Sequence, residues 1–188
     1  MFILTHAAMG AALYRYTLSE TGLDVDRRRF VFGNVLPDVH PKWLALSHRF
    51  EEVSGQMDGL YLEIRQLMMD GQSPSEALGV LCHFLSDAFC SYHMEESLWR
   101  GSRLAHLLFE IRLHWMFFRL RQEDVRTVGG RRIRPGMTLE EIHRGLKAEF
   151  LRRGSRMSDN LRYAMMFCVL TIQMLEEDVR GVEHFQVA

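Results

Sequence analysis

The stretch Ser73-Pro74-Ser75-Glu76-Ala77-Leu78-Gly79-Val80-Leu81-Cys82-His83-Phe84-Leu85-Ser86-Asp87-Ala88 reads as one helix with two polar residues set into an apolar face. Ser73 is placed to cap, Pro74 suits the first helical position, and Glu76 completes a capping box. Ala77, Leu78, Leu81, Phe84, Leu85 and Ala88 recur at helical spacing. His83 and Asp87 stand four residues apart, one turn along the same side. A polar pair flanked by such residues needs a partner, and a metal ion is one.

The helical pattern continues on both sides. A first helix spans residues 3–19 and stops near Gly22. A second runs from about 51 to 70 and is ended by Gly71. A third covers about 103–122, a capping box at Thr138 and Glu141 starts another, and the last spans about 158–179. Between the first two, the charged piece Asp26-Arg27-Arg28-Arg29 leads into residues 30–32. Residues 33–41 hold two prolines and a Gly-Asn, which marks an ordered loop. Residues 128–136 form a second loop with a basic cluster, Arg131, Arg132 and Arg134. No stretch alternates at period two, so the fold class is all-α: one helical bundle, a single metal-binding domain over residues 1–188.

Composition agrees. Of 188 residues, 47% are hydrophobic and 25% charged, which excludes disorder, coiled coil and collagen. Lys plus Arg total 23 against 24 Asp plus Glu, so no basic field exists and stable nucleic-acid binding is not expected. Twelve Met and four Pro lean toward helix. Cys82, Cys90 and Cys168 form no CxxC pair, which fits reduced thiols in a cytoplasmic protein. Residues 1–14 carry no charge but lack the basic start of a secretion signal. The longest uncharged run near the C-terminus, residues 163–175, is too short for a membrane span of ~20 and reads as a buried helix.

Histidine is the unusual count, at nine. With 24 acids among 188 residues, about one histidine in nine should have an acid four residues on by chance. Three do: His48 with Glu52, His83 with Asp87, and His106 with Glu110. Leu107, Leu108 and Ile111 flank the last pair as a core would. At this spacing imidazole nitrogen and carboxylate oxygen can reach one metal ion at ~2.0–2.2 Å.

The order of the ligand-type residues is more specific than any pair. It runs His6, Pro37-Asp38, His48-Arg49, His83-x-x-x-Asp87, His93, then His106-x-x-x-Glu110. This series resembles the zinc-dependent phospholipase C family and its wider group, which includes nucleases. The resemblance implies an all-helical fold around two or three zinc ions that hydrolyse phosphate esters. It implies one ion held by Asp38, His48, His83 and Asp87, a second by His93, His106 and Glu110, and a third by His6, with Asp87 bridging it to the first. It makes Asp38 the general base. In the secreted members the processed amino terminus, a tryptophan, supplies ligands to the third ion, and here the Met1 amine is the group that would substitute. The residue after the loop aspartate is Val39, where those enzymes have an aromatic of the choline pocket, so a choline headgroup is not implied. Clustered divalent ions lower the pKa of bound water toward ~7 and hold the phosphoryl oxygens.

Several residues carry two readings. Cys90 lies seven after His83 and reads first as a small apolar core residue, second as a thiolate ligand. His114 reads as a helix-surface residue or as a partner of the ligands. His40 contacts a phosphate or shapes the loop, and His143 and His184 are expected to be exposed. Trp115, Phe117 and Phe118 are expected in the core, with a lipid-facing rim as the alternative. Arg131, Arg132 and Arg134 form a solvated loop or attract a phosphate substrate. The function expected is a cytoplasmic, zinc-dependent phosphoesterase acting through a metal-activated water on a phospholipid headgroup or other phosphodiester. The alternatives are a nuclease or small-molecule phosphatase on the same metal core, or a non-catalytic metal-binding domain. No transmembrane segment is expected, and the oligomeric state is open.

Overall fold

The computed structural model describes residues 1–94, 103–119, 134, 136–153 and 156–186. Among these there are nine α-helices, one 3-10 turn and no strand. In order they are α1 (Ile3–Glu20), α2 (Arg27–Gly33), the 3-10 turn (Leu36–Asp38), α3 (Pro41–Leu44), α4 (Phe50–Met69), α5 (Ser75–Asp87), α6 (Ser91–Met94), α7 (Arg103–Phe117), α8 (Leu139–Arg152) and α9 (Met157–Gln186). The all-α expectation holds. The end of the expected third helix (120–122), Arg131, Arg132 and the side chain of His184 lie outside the described residues.

Helix α5 is the axle. Eleven of its thirteen residues are buried, and a helix buried on all sides belongs at the centre of a fold. It packs against α2, α4, α9 and α1. The α2–α5 crossing is set by two glycines. A β-carbon on Gly79 would stand 2.3 Å from the Phe30 carbonyl oxygen and 2.9 Å from the Gly33 Cα. One on Gly33 would stand 2.3 Å from the Glu76 carbonyl oxygen. The backbones therefore touch, and the contact is one turn before His83. Gly10 of α1 abuts the Asn34 side chain in the same way, at 3.0 Å, one turn after His6.

The remaining helices close the core around this axle. Phe50, Val53, Met57, Leu60, Tyr61 and Ile64 form the buried stripe of α4. Its C-terminus is a Schellman turn: Gln72 N–H reaches the Leu67 carbonyl, Gly71 N–H reaches Met68, and Gly71 takes φ 66°. Helix α8 has the expected capping box, with Thr138 Oγ1 accepting from Glu141 N and Glu141 Oε2 accepting from Thr138 N. The uncharged run in α9 is a buried core segment. Among the described residues no helix is long and apolar enough to cross a membrane.

Five local expectations are corrected. Residues 27–29 are helical, because the Asp26 carboxylate caps α2 by accepting from Arg29 N at 2.8 Å. The segment 33–41 holds the 3-10 turn and the start of α3, which His40 caps by accepting from Lys42 N at 3.2 Å. The Ser73 capping box does not form, since α5 starts at Ser75. Ser73 Oγ instead pairs with Ser75 Oγ, and Ser75 Oγ accepts from Asp26 N. Trp115 and Phe118 are exposed, as are Leu107 and Leu108, because α7 turns its other side inward. His143 is buried, with ring centroids 4.4, 5.5 and 5.7 Å from Phe50, Phe89 and Phe167.

The glycine contact predicts that Gly79→Ala lowers stability by about 1–3 kcal/mol, the scale of overpacking against backbone that cannot yield. Gly55→Ala, with nothing near its β-carbon, should be neutral or stabilising by up to ~1 kcal/mol through helix propensity. Thermal unfolding of the two variants beside the wild type checks this, and equal midpoints would refute the contact.

His143 predicts an acid-dependent loss of stability. Burial holds its pKa down to about 4, with Glu51 opposing and Lys147 reinforcing. Between that value and the unfolded value of ~6.5 the unfolded chain binds the extra proton, so stability falls as pH drops through this window. His143→Leu should flatten that part of the pH profile, read as the difference in melting temperature between variant and wild type from pH 7 to 4.

Candidate metal centre

Six elements deliver eight ligand-type side chains to one place. Helix α1 brings His6, the 3-10 turn Asp38, the segment before α4 His48, α5 His83 and Asp87, α6 His93, and α7 His106 and Glu110. Asp87 is the hub. Its Oδ2 lies 2.7 Å from His48 Nδ1, 3.5 Å from His83 Nε2 and 3.9 Å from His93 Nε2. Its Oδ1 lies 3.3 Å from His6 Nε2. Asp38 Oδ1 stands 3.8 Å from His83 Nε2. Glu110 Oε1 stands 2.9 Å from His106 Nε2 and 3.9 Å from His93 Nε2. The Met1 amine enters the same cluster, 2.5 Å from Asp87 Oδ1 and 3.4 Å from both Glu110 Oε1 and His93 Nε2.

Three groups of ligand atoms each fall within 4.8 Å: His6, His83 and Asp87; Asp38, His48 and His83; and Cys90, His93 and Glu110. The first two overlap the expected third and first sets in part: they share His83 where Asp87 was expected to bridge, and Asp87 groups with His6 and not with Asp38 and His48. The third contains Cys90, which sequence reading took first as apolar and second as a ligand. Its clue was present in the order Cys90-x-x-His93. His114 is not among the grouped residues; its Nδ1 pairs with Thr5 Oγ1 at 3.1 Å and its ring packs on Phe2 and Phe118.

Hydrogen bonding outside the cluster sets which imidazole nitrogens face inward. His83 Nδ1 bonds the Asn34 carbonyl oxygen at 2.9 Å. A carbonyl only accepts, so Nδ1 carries the proton and Nε2 presents a lone pair to the centre. The Ser86 hydroxyl donates its proton to the His83 carbonyl at 2.8 Å. Its oxygen must therefore accept from His6 Nδ1, 3.2 Å away, which turns His6 Nε2 toward the centre. That nitrogen is buried and makes no hydrogen bond among the described residues, and the same is true of Asp38 Oδ2. Outer hydrogen bonds that orient a histidine and orphan its inner nitrogen are the arrangement that metal-binding histidines use.

The electrostatics say the same. Burial alone would raise the Asp87 pKa, but the Met1 ammonium, His6, His93 and the His48 bond overcome it and hold the carboxyl well below its ordinary value. Burial and the neighbouring imidazoles push His83 well below an ordinary histidine, with Asp87 opposing. Burial takes His93 down to about 3. His48 is raised, because its bond to Asp87 outweighs burial. Asp38 is raised by burial, the His6 charge opposing and Asp87 adding to it. His83 and His93, held neutral beside the ionised Asp87, are in the protonation states that metal ligation requires, whereas His48 and Asp38 are shifted toward their protonated forms. The donor set, imidazole nitrogen with carboxylate oxygen, suits zinc. The residues present therefore fit the group.

An all-helical fold around a histidine–carboxylate cluster of this kind is the frame of a class of metal-dependent hydrolases. The chain matches the zinc-dependent phospholipase C family over residues 2–155, and it belongs to that family. The match reaches past Glu110, the last expected ligand, to the end of α8. No curated protein and no solved structure matches the chain.

The partition of ligands predicts a selective loss in His106→Ala. Removing one imidazole at the α7 side should cost about one zinc per chain, with destabilisation on the order of 1–3 kcal/mol as Glu110 loses a partner. His83→Ala should lose more, since two groups share that nitrogen. Elemental analysis after zinc reconstitution reads the difference; equal zinc in wild type and His106→Ala would make His106 a purely structural residue.

Proposed function

We propose that the chain is one helical domain acting as a zinc-dependent phosphoesterase, which hydrolyses a phospholipid or related phosphodiester with Asp38 as general base. The observation that carries this is the convergence of the eight side chains with two inner atoms, His6 Nε2 and Asp38 Oδ2, left without hydrogen bonds. His6, Asp38, His48, His83, Asp87, His93, His106 and Glu110 would hold two or three zinc ions. Bound zinc supplies Lewis acidity toward the phosphoryl oxygens and lowers the pKa of water.

The centre has a dry floor and an open edge. His6, His83 and Asp87 are fully buried, whereas Asp38, His48 and His106 side chains are 21%, 18% and 21% exposed. A phosphate ester approaching over that edge meets Asp38 first. The Asp38 carboxylate is placed to orient a water and take its proton. Its neighbours His48 and His83, fixed through Asp87 and Asn34, position the base without competing for that oxygen. Val39 and Leu44, beside Asp38 in sequence, are both exposed. So are Leu104, Leu107, Leu108, Trp115 and Phe118 on or just after α7. Exposed apolar side chains near Asp38 in sequence and along the outer side of α7 support a lipid substrate. The three free, buried cysteines support a reducing, cytoplasmic setting.

The test is turnover of a chromogenic phosphodiester, of phosphatidylcholine vesicles and of single-stranded DNA, with zinc measured on the same samples. Zinc-dependent turnover of the esters is expected, and Asp38→Asn should cut it by ~10²-fold or more at unchanged metal content. Preferential cleavage of DNA would make the protein a nuclease. Full zinc loading without turnover of any substrate would make it a metal-binding domain.

A further inference from the structure

We propose that Cys90 is a zinc ligand: its thiolate, with His93 and Glu110, holds the ion on the α6–α7 side of the centre. This rests on the reading that the centre holds zinc, not on which ester is hydrolysed. Two observations carry it. The Cys90 sulfur lies within 4.8 Å of the ligand atoms of both His93 and Glu110. Ligands of one tetrahedral zinc stand roughly 3.5 Å apart for a sulfur and a nitrogen at ordinary bond lengths, so small rotations of these side chains close the site. The turn between them is fixed. His93 N–H bonds the Cys90 carbonyl at 2.8 Å, and Asn160 Oδ1 accepts from both the backbone and hydroxyl of Ser91, at 2.7 and 2.9 Å. The sulfur thus faces imidazole and carboxylate from a turn that is anchored from outside. Burial keeps the thiol protonated, its pKa pushed up to about 12, until a bound cation draws off the proton.

Charge supports the assignment. Asp38, Asp87 and Glu110 supply three negative charges toward four to six positive ones from two or three divalent ions. A thiolate adds one more at the position where only Glu110 would otherwise contribute. In forming the bond the thiol gives its proton to solvent and the sulfur lone pair goes to the metal, with no redox change. Cys82 and Cys168 do not share this setting. Both are buried, and Cys168 donates to the Cys82 carbonyl at 3.3 Å, the bond of a protonated core thiol.

Cobalt(II) substitution of the full chain reads the ligand directly. The cobalt-loaded wild type should show a near-ultraviolet sulfur-to-cobalt charge-transfer band. The band should vanish in Cys90→Ala and Cys90→Ser and persist in Cys82→Ala and Cys168→Ala. Zinc affinity at the weakest-retained site should fall roughly 10–100-fold in the Cys90 variants, by competition with a chelator. Cobalt binding by the wild type without the band overturns the thiolate and leaves the zinc centre standing. A band that survives in Cys90→Ser, which keeps the size of the side chain, also overturns it. Failure of the wild type to bind cobalt or zinc at all would overturn both this assignment and the proposed zinc chemistry.

Discussion

Backbone contact between Gly33 and Gly79 is the constraint on which the site depends. Helices usually cross at 8–10 Å because side chains hold them apart. Here the Phe30 and Glu76 carbonyls occupy the places of the missing β-carbons. The close crossing brings the Asn34 carbonyl, next after Gly33, against His83, one turn after Gly79. The same Asn34 side chain meets Gly10 of α1, which lays His6 face to face with His83 at 3.8 Å. Two ligands from different helices are thus set by three glycines that lie one turn from them or beside Asn34. Larger residues at these positions would separate the helices and carry the imidazoles apart while leaving every ligand present in the sequence.

The core tolerates so much buried polarity because each charge has a designated opposite. Asp87 is fully buried and touches the Met1 ammonium and three histidines. An unpaired carboxylate there would cost several kcal/mol. The Met1 amine itself is buried, yet these carboxylates hold its pKa up to about 11. Cation density at this spot is a requirement of the carboxylates, and an ammonium or a metal ion meets it. The same logic separates the ligand histidines from His143. His6 and His83 are held by outer partners with Nε2 turned toward Asp87, whereas His143 is surrounded by phenyl rings.

Much of this was legible in the sequence, and the failures have physical causes. Helical spacing alone paired His83 with Asp87 and His106 with Glu110; the other converging side chains, His6, Asp38, His48 and His93, came from the family resemblance of the ordered series. The capping box was read correctly at Thr138 and wrongly at Ser73, although both have the pattern. Thr138 is exposed to solvent and free to cap, whereas the Ser73 hydroxyl is paired with that of Ser75, which accepts from Asp26 N of a distant segment. Such a tertiary bond has no local signature. His143 was read by residue type, and its position gave the better answer: it falls on the stripe of Leu139, Ile142, Leu146 and Phe150 that α8 buries. Cys90 carried two readings, and it is fully buried as the apolar one expects while its sulfur lies near the ligand atoms of His93 and Glu110.

Helix α7 shows how a site can invert the usual rule for hydrophobic residues. At about 100° per residue, His106, Glu110, Leu113 and Phe117 fall on one side, and Leu104, Leu107, Leu108, Ile111 and Trp115 on the other. Either side is rich enough in apolar residues to pass for the core face by composition. The choice is made by His106 and Glu110. They face inward, where His106 meets Glu110 and Glu110 stands beside His93 and the Met1 amine. These polar contacts fix the rotation of the helix, and the apolar stripe is what remains outside. A surface of this kind costs solubility in water. The exposed stripe is thus a consequence of where the polar pair sits, and composition alone does not tell which face of such a helix is the core.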